Sequence, residues 1–166
     1  MAIGATWATA KATIQAAIDA ANSNDTVWVS NGVYATGGRA VHGLLVNRVA
    51  IDKPITVQSF NGAQNTIIRG ERDSSAYNGV GDLAVRCAYV GTNGMLSGFT
   101  LTNGATRGYY ADIPDDRNGG GVWSETSGVI NACVVIGNSA DYVGGGGCGG
   151  QYYNCIFSNN LAVSGG

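Results

Sequence analysis

Residues 131–140 read Asn131-Ala132-Cys133-Val134-Val135-Ile136-Gly137-Asn138-Ser139-Ala140, and residues 153–162 read Tyr153-Asn154-Cys155-Ile156-Phe157-Ser158-Asn159-Asn160-Leu161-Ala162. Laid over one another at a shift of 22 residues, Cys133 meets Cys155, Val134 meets Ile156 and Asn138 meets Asn160. An earlier copy, Gly94-Met95-Leu96-Ser97-Gly98-Phe99, overlays Gly128-Val129-Ile130-Asn131-Ala132-Cys133 at a shift of 34. One insertion, residues 107–118, takes up the difference. The later copies follow glycine runs, Gly119-Gly120-Gly121-Val122 and Gly144-Gly145-Gly146-Gly147-Cys148. An internal period of 20 to 50 residues marks a solenoid, a propeller or an array.

About 22 residues holding two or three short strands fit one coil of a parallel β-helix, whereas a propeller blade needs roughly 40. Leucine-rich spacing is absent. The expected fold is therefore all-β: a parallel β-helix, or solenoid, of about five coils. Coils stack at the strand spacing of about 4.8 Å, so equivalent residues form ladders. Aliphatic residues should ladder inside, and Asn and Gly at the turns, where positive φ is tolerated.

The rest of the chain agrees. Thr26-Val27-Trp28-Val29, Ile55-Thr56-Val57-Gln58, Thr66-Ile67-Ile68-Arg69, Leu83-Ala84-Val85-Arg86 and Phe99-Thr100-Leu101-Thr102 are strand-like runs bounded by turn formers. Residues 9–21 instead carry Ile14, Ala17, Ile18 and Ala21 at helical spacing, opposite Lys11, Gln15 and Asp19. This short helix is expected to cap the first coil, whose strand edges are otherwise open. Residues 1–166 thus read as one domain: capping helix 9–21, first coils 26–106, loop insertion 107–118 and glycine-run repeats 119–166.

Composition narrows the classes. Charged residues make up 12% and apolar residues 45%, the reverse of a disordered polymer. The 27 glycines follow no three-residue period, unlike collagen. Net charge is −2 without a basic run, so no nucleic-acid partner is expected. No apolar stretch nears the roughly 18 residues of a membrane helix, so no membrane insertion is expected. Met1-Ala2-Ile3-Gly4 lacks the features of a signal peptide. The ending Ser164-Gly165-Gly166 breaks off in mid-pattern, as a C-terminally truncated fragment would.

The chain resembles the right-handed parallel β-helix superfamily with the pectin-lyase-like fold. Ile14-Gln15-Ala16-Ala17-Ile18-Asp19-Ala20-Ala21, Asp25-Thr26-Val27-Trp28-Val29 and Asn31-Gly32-Val33-Tyr34 look like its capping helix and first strand. Ile51-Asp52-Lys53-Pro54-Ile55-Thr56-Val57 and Thr66-Ile67-Ile68-Arg69-Gly70 look like its next coil. The glycine-run copies are similar to repeats of bacterial surface proteins, including polymorphic outer-membrane proteins with Phe-x-x-Asn signatures. Phe157-Ser158-Asn159-Asn160 matches that signature, while Val135-Ile136-Gly137-Asn138 carries Val for Phe. The resemblance implies a secreted or cell-surface module, structural or adhesive, contacting glycans. Its alternatives are a Ca²⁺-assisted polysaccharide lyase or related carbohydrate enzyme, and a fibre-forming repeat unit. The Asn-Thr-Asp, Gly-His-Gly and Arg-Ile-Lys signatures of galacturonases are absent.

Chemistry concentrates in the insertion, Tyr109-Tyr110-Ala111-Asp112-Ile113-Pro114-Asp115-Asp116-Arg117. Tyr109, Tyr110, Asp112, Asp115, Asp116 and Arg117 are the candidate ligand-binding residues. Asp112, Asp115 and Asp116 are the carboxylates for Ca²⁺, the one cofactor considered, and Arg117 is the one candidate catalytic base. The competing reading is a solvated loop with Arg117 paired to a neighbouring Asp. Glu71-Arg72-Asp73 is a weaker version of the same case. His42, the only histidine, reads as a turn residue in loop 37–43. Trp7, Trp28, Trp123 and the pairs Tyr109-Tyr110 and Tyr152-Tyr153 read either as core and turn packing or as a sugar platform. Cys133 and Cys155 fall at equivalent positions, where strand spacing favours a ladder of free thiols over a disulfide. The last coil lacks a blunting signal, so self-association through it is expected.

Overall fold

The computed structural model describes residues 6–111 and 113–164. It is predominantly β, with one α-helix, α1 (Ile14–Ala20), and short 3₁₀ turns. The chain makes repeated rounds. The first holds β1 (Thr26–Val29), β2 (Gly32–Tyr34), β3 (Arg39–Ala40) and β4 (Val46–Ile51). The second holds β5 (Thr56–Ser59), β6 (Thr66–Arg69) and β7 (Val85–Val90), and the third β8 (Met95–Ser97), β9 (Thr100–Thr102) and β10 (Val122–Ser124). The fourth holds β11 (Val129–Asn131), β12 (Val134–Ile136), β13 (Ser139–Val143) and β14 (Gly147–Cys148). The last described strands are β15 (Gln151–Tyr153), β16 (Ile156–Ser158) and β17 (Leu161–Ser164).

Each round contributes a strand to the same sheets. The first sheet has the order β1-β5-β8-β11-β15 and the second β2-β6-β9-β12-β16. The third is β3-β4-β7-β10-β14, and β13 pairs with β17 in a small fourth sheet. Among the described strands pairing is parallel except for β3, which folds back antiparallel on β4; an isolated antiparallel bridge also joins Glu71 to Val85. Repeated sequence therefore meets itself in register: Val134 pairs with Ile156, and Val129 with Met95.

That register stacks the core. Val57, Leu96 and Ile130 form one fully buried row, Ile68, Leu101 and Val135 a second, and Val49, Ala88 and Val122 a third. Each large aliphatic removed from water contributes about 1.5–3 kcal/mol before entropy is counted. From the third round on, the corner between the first and second sheets is two residues long, and the first of the two is left-handed. Gly98 (φ 79°), Ala132 (φ 49°) and Asn154 (φ 53°) fill that place in successive rounds. The glycine runs have a second cause, close approach. A Cβ on Gly121 would lie 2.3 Å from the Gly146 carbonyl oxygen, and one on Gly120 2.2 Å from that of Ser139.

Asparagine does for the carbonyls what glycine does for the space. Buried Asn138 donates to the Leu101 carbonyl (3.0 Å) and accepts from the Gly104 amide (2.8 Å). One round on, Asn160 donates to Val135 (2.9 Å) and accepts from the Asn138 amide (3.0 Å).

The helix is shorter than residues 9–21. Thr13 is extended and its hydroxyl accepts from the Ala16 amide at 3.1 Å, which starts the helix at Ile14. Ile14 and Ile18 are buried, as their spacing requires. Gln15, expected on the solvent face, is instead buried. Its amide accepts from Ala50 N (2.8 Å) and donates to Ala50 O (3.2 Å), pairing with the β4 backbone as a neighbouring strand would. Lys53 reaches the helix end, donating to the Ala21 carbonyl at 2.9 Å. β4 escaped the sequence reading because Asn47 and Arg48 interrupt its apolar run; both are buried on hydrogen bonds.

Ala132 holds a left-handed conformation that costs an L-residue about 1 kcal/mol or more. Ala132→Gly is expected to raise stability by about 1 kcal/mol, less the added chain entropy, in urea titration. An unchanged or lower midpoint would contradict the corner geometry.

Candidate functional site

The insertion between the second and third sheets is anchored by two buried polar side chains. Arg86 projects from β7 and is buried. Its guanidinium donates to the carbonyls of Gly119 (2.9 Å), Asn118 (2.7 Å) and Asp115, and to the Asn47 side-chain oxygen (2.9 Å). Burial pulls its pKa down to about 10 against the opposing charges of Asp116 and Asp115, so it is cationic at neutral pH. Asp116 is 2% exposed. Its carboxylate accepts from the backbone amides of Leu44 (2.8 Å) and Leu45 (3.2 Å). Both anchors sit inside the loop, leaving its tip outside.

The tip is aromatic. Tyr110 is 93% exposed and meets Tyr109 edge to face at 5.5 Å. The Arg117 guanidinium lies 4.9 Å from the Tyr109 ring centroid and 5.4 Å from that of Tyr142. Its Nε donates to Asp141 at 2.7 Å. Arg117 is thus held as a cation between two rings and a carboxylate. Asp115 contributes its carbonyl to Arg86, and Asp112 lies outside the described residues. Among the described residues no three His, Cys, Asp or Glu side chains come together as a metal cluster.

By fixing the amides of Leu44 and Leu45, Asp116 also presents His42 to the outer face of the third sheet. There Tyr89 on β7 and Trp123 on β10 are register partners. Neighbouring parallel strands place such side chains one strand spacing apart, and the rings stack with centroids at 5.6 Å and planes 8° apart. The His42 ring lies 5.5 Å from Tyr89 and 5.9 Å from Trp123, with Nε2 3.3 Å from the phenol oxygen. Tyr89 donates to Glu125 at 3.3 Å. Burial first, then the Glu125 charge, pushes its phenol up to about 12, so it stays a donor.

His42 lies in a bend, as read from the sequence, and also meets Tyr89 and Trp123; this contact, and that of Tyr89 with Glu125, the sequence reading did not foresee. A signal for Tyr89 existed. The shift of 34 that lays Gly94 on Gly128 also lays Tyr89 on Trp123. His42 carried no such signal, since its loop is brought here by the antiparallel β3–β4 pair and the Asp116 contact, neither of which the repeat encodes.

The remaining aromatics lie elsewhere. Phe60 meets Trp7 and Trp28 edge to face, at 5.6 and 5.9 Å, beside a cleft of about 600 Å³ under α1. Tyr152 turns inward against Phe157, while Tyr153 is exposed. In the Glu71-Arg72-Asp73 turn, each side chain is structural. Glu71 pairs with Arg48, Arg72 donates to the Gly137 carbonyl, and Asp73 accepts from Ser75 and Leu83. Those bonds, Ser75's hydroxyl first, hold the Asp73 carboxyl below its ordinary pKa.

No family model, curated protein or solved structure matches the chain.

Arg86→Met would remove the donor from four acceptors and leave Asp116 buried without its nearby countercharge. The expected loss is about 3–5 kcal/mol, with new protease cleavage inside residues 107–118. Arg86→Lys keeps the charge but not the fork, and is expected to lose less. Unaltered stability and proteolysis in both variants would remove Arg86 from its anchoring role.

Proposed function

We propose that the sheets wind into one right-handed parallel β-helix of about five coils, as in the pectin-lyase-like superfamily, forming a secreted or cell-surface module that contacts glycans. Support for the winding comes from the parallel sheets, which receive one strand from each round in the same order. Every link between parallel neighbours of a sheet then passes through the other sheets, and such parallel crossovers are overwhelmingly right-handed.

The observation that carries the glycan reading is the Tyr89–Trp123 stack on the outer face of the third sheet. The C–H face of a pyranose ring packs on an aromatic plane, and its hydroxyls need polar partners at the rim. Half-buried Trp123 offers the plane; Glu125 offers an acceptor and His42 an imidazole at the rim of the rings. Tyr109 and Tyr110 are further exposed rings at the tip of the insertion. Arg117 and Asp116, the residues a lyase reading would use, are both engaged in structural bonds, which favours binding over catalysis.

Calorimetric titration with a panel of acidic and neutral oligosaccharides tests this directly. At least one class is expected to bind, and Trp123→Ala to weaken it about tenfold or more, equivalent to about 1.4 kcal/mol, with an unchanged circular dichroism spectrum. Polygalacturonate with Ca²⁺ should yield no unsaturated product. Binding untouched by Trp123→Ala, or turnover abolished by Arg117→Ala, would overturn the reading.

A further inference from the structure

We propose that Cys155 is a thiol-modification site and Cys133 its resolving partner, the two closing to a reversible disulfide on exposure to small disulfides. They occupy one place in successive rounds. Each follows a left-handed corner residue, Ala132 or Asn154, and each precedes paired strands, Val134 lying opposite Ile156. The Ile156 amide donates to the Cys133 carbonyl at 2.9 Å, which sets the two corners one strand apart.

The thiols also point the same way. Cys133 Sγ donates to the Asn131 carbonyl (3.2 Å) and faces that of Leu96 (3.8 Å). Cys155 Sγ donates to Tyr153 (3.2 Å) and Ile130 (3.5 Å), the register partners of Asn131 and Leu96. A separation near the strand spacing of about 4.8 Å is inside the Cα range of disulfides but slightly long for Cβ atoms. Closure is therefore feasible with a small corner movement, and the product is strained and readily reduced.

Burial separates the roles. Cys155 is half-buried and open to a small reagent, while Cys133 is 1% exposed beneath it. The neighbouring Cys133 thiol chiefly lowers the Cys155 pKa, while that neighbour and burial raise Cys133. Cys155, the accessible thiol, is the one that meets the reagent and reacts as its thiolate. Neither other cysteine is prepared this way: burial pushes Cys87 up to about 12, and raises Cys148 as well.

In the first step the Cys155 thiolate attacks one sulfur of the small disulfide, whose S–S bond breaks to release one thiolate. In the second, the Cys133 sulfur attacks Cys155 of the mixed disulfide, the Cys133 proton passing to solvent as the second small thiolate leaves. Two protein thiols are oxidised and one small disulfide is reduced to two thiols.

Oxidised glutathione on the folded chain, followed by alkylation and mass mapping, provides the test. The expected product lacks the mass of two hydrogens, links Cys133 to Cys155, leaves Cys87 and Cys148 alkylated, and is reversed by dithiothreitol. Cys133→Ser should stop at a glutathione adduct on Cys155, and Cys155→Ser should leave Cys133 unreacted. Should Cys133→Ser fail to fold, the exposed-side variant and the native chain decide the matter. Reaction first at Cys148 or Cys87, a persistent adduct on the native chain, or no reaction would each overturn the proposal.

Discussion

Backbone hydrogen bonds between one round of chain and the next set every other feature. Because the pairing is parallel and in register, a residue's neighbours above and below are its own counterparts in the repeat. An aliphatic side chain thereby meets another aliphatic, and a left-handed corner meets another. The amide of Asn138 does the same for polar groups: an unpaired carbonyl at Leu101 or an unpaired amide at Gly104 would cost about 1–3 kcal/mol, and one side chain satisfies both. Without the register, none of these residues would have a reason to be where it is.

The insertion is tolerated because it does not disturb that pairing. Val122 and Trp123 still sit opposite Ala88 and Tyr89 although residues 107–118 intervene. The loop is attached to the stack through opposite charges: the Arg86 fork takes two of its carbonyls and that of Gly119 just after it, and Asp116 takes two amides of loop 42–45. One consequence is functional. The residue that ties down the insertion also positions His42, so the aromatic face and the loop tip are mechanically joined.

Much of the fold was legible in the sequence because a repeated segment repeats its physics. The Cys133/Cys155 overlay anticipated the strand pairing, and Asn and Gly at turns anticipated the left-handed corners. What escaped depended on contacts distant in sequence. Gln15 looked solvent-facing by helical spacing, yet α1 lies against β4 and its amide replaces a strand partner. The antiparallel β3 is too short to carry a pattern. At the candidate site the insertion was legible as a concentration of charge and aromatics, but the division of labour was not. Asp116 and Arg117 are adjacent in sequence, yet one faces the interior and the other the Tyr109 ring.

The central claim is that successive rounds pair in parallel and in register, with the repeat shift setting each partner. Backbone nuclear Overhauser effects in an isotope-labelled chain measure this most directly. Contacts should link the amide and α protons around Val134 with those around Thr100 and Ile156, without the close α–α contacts of antiparallel strands. Strong α–α contacts between sequence-adjacent strands, as in a series of hairpins, would contradict it.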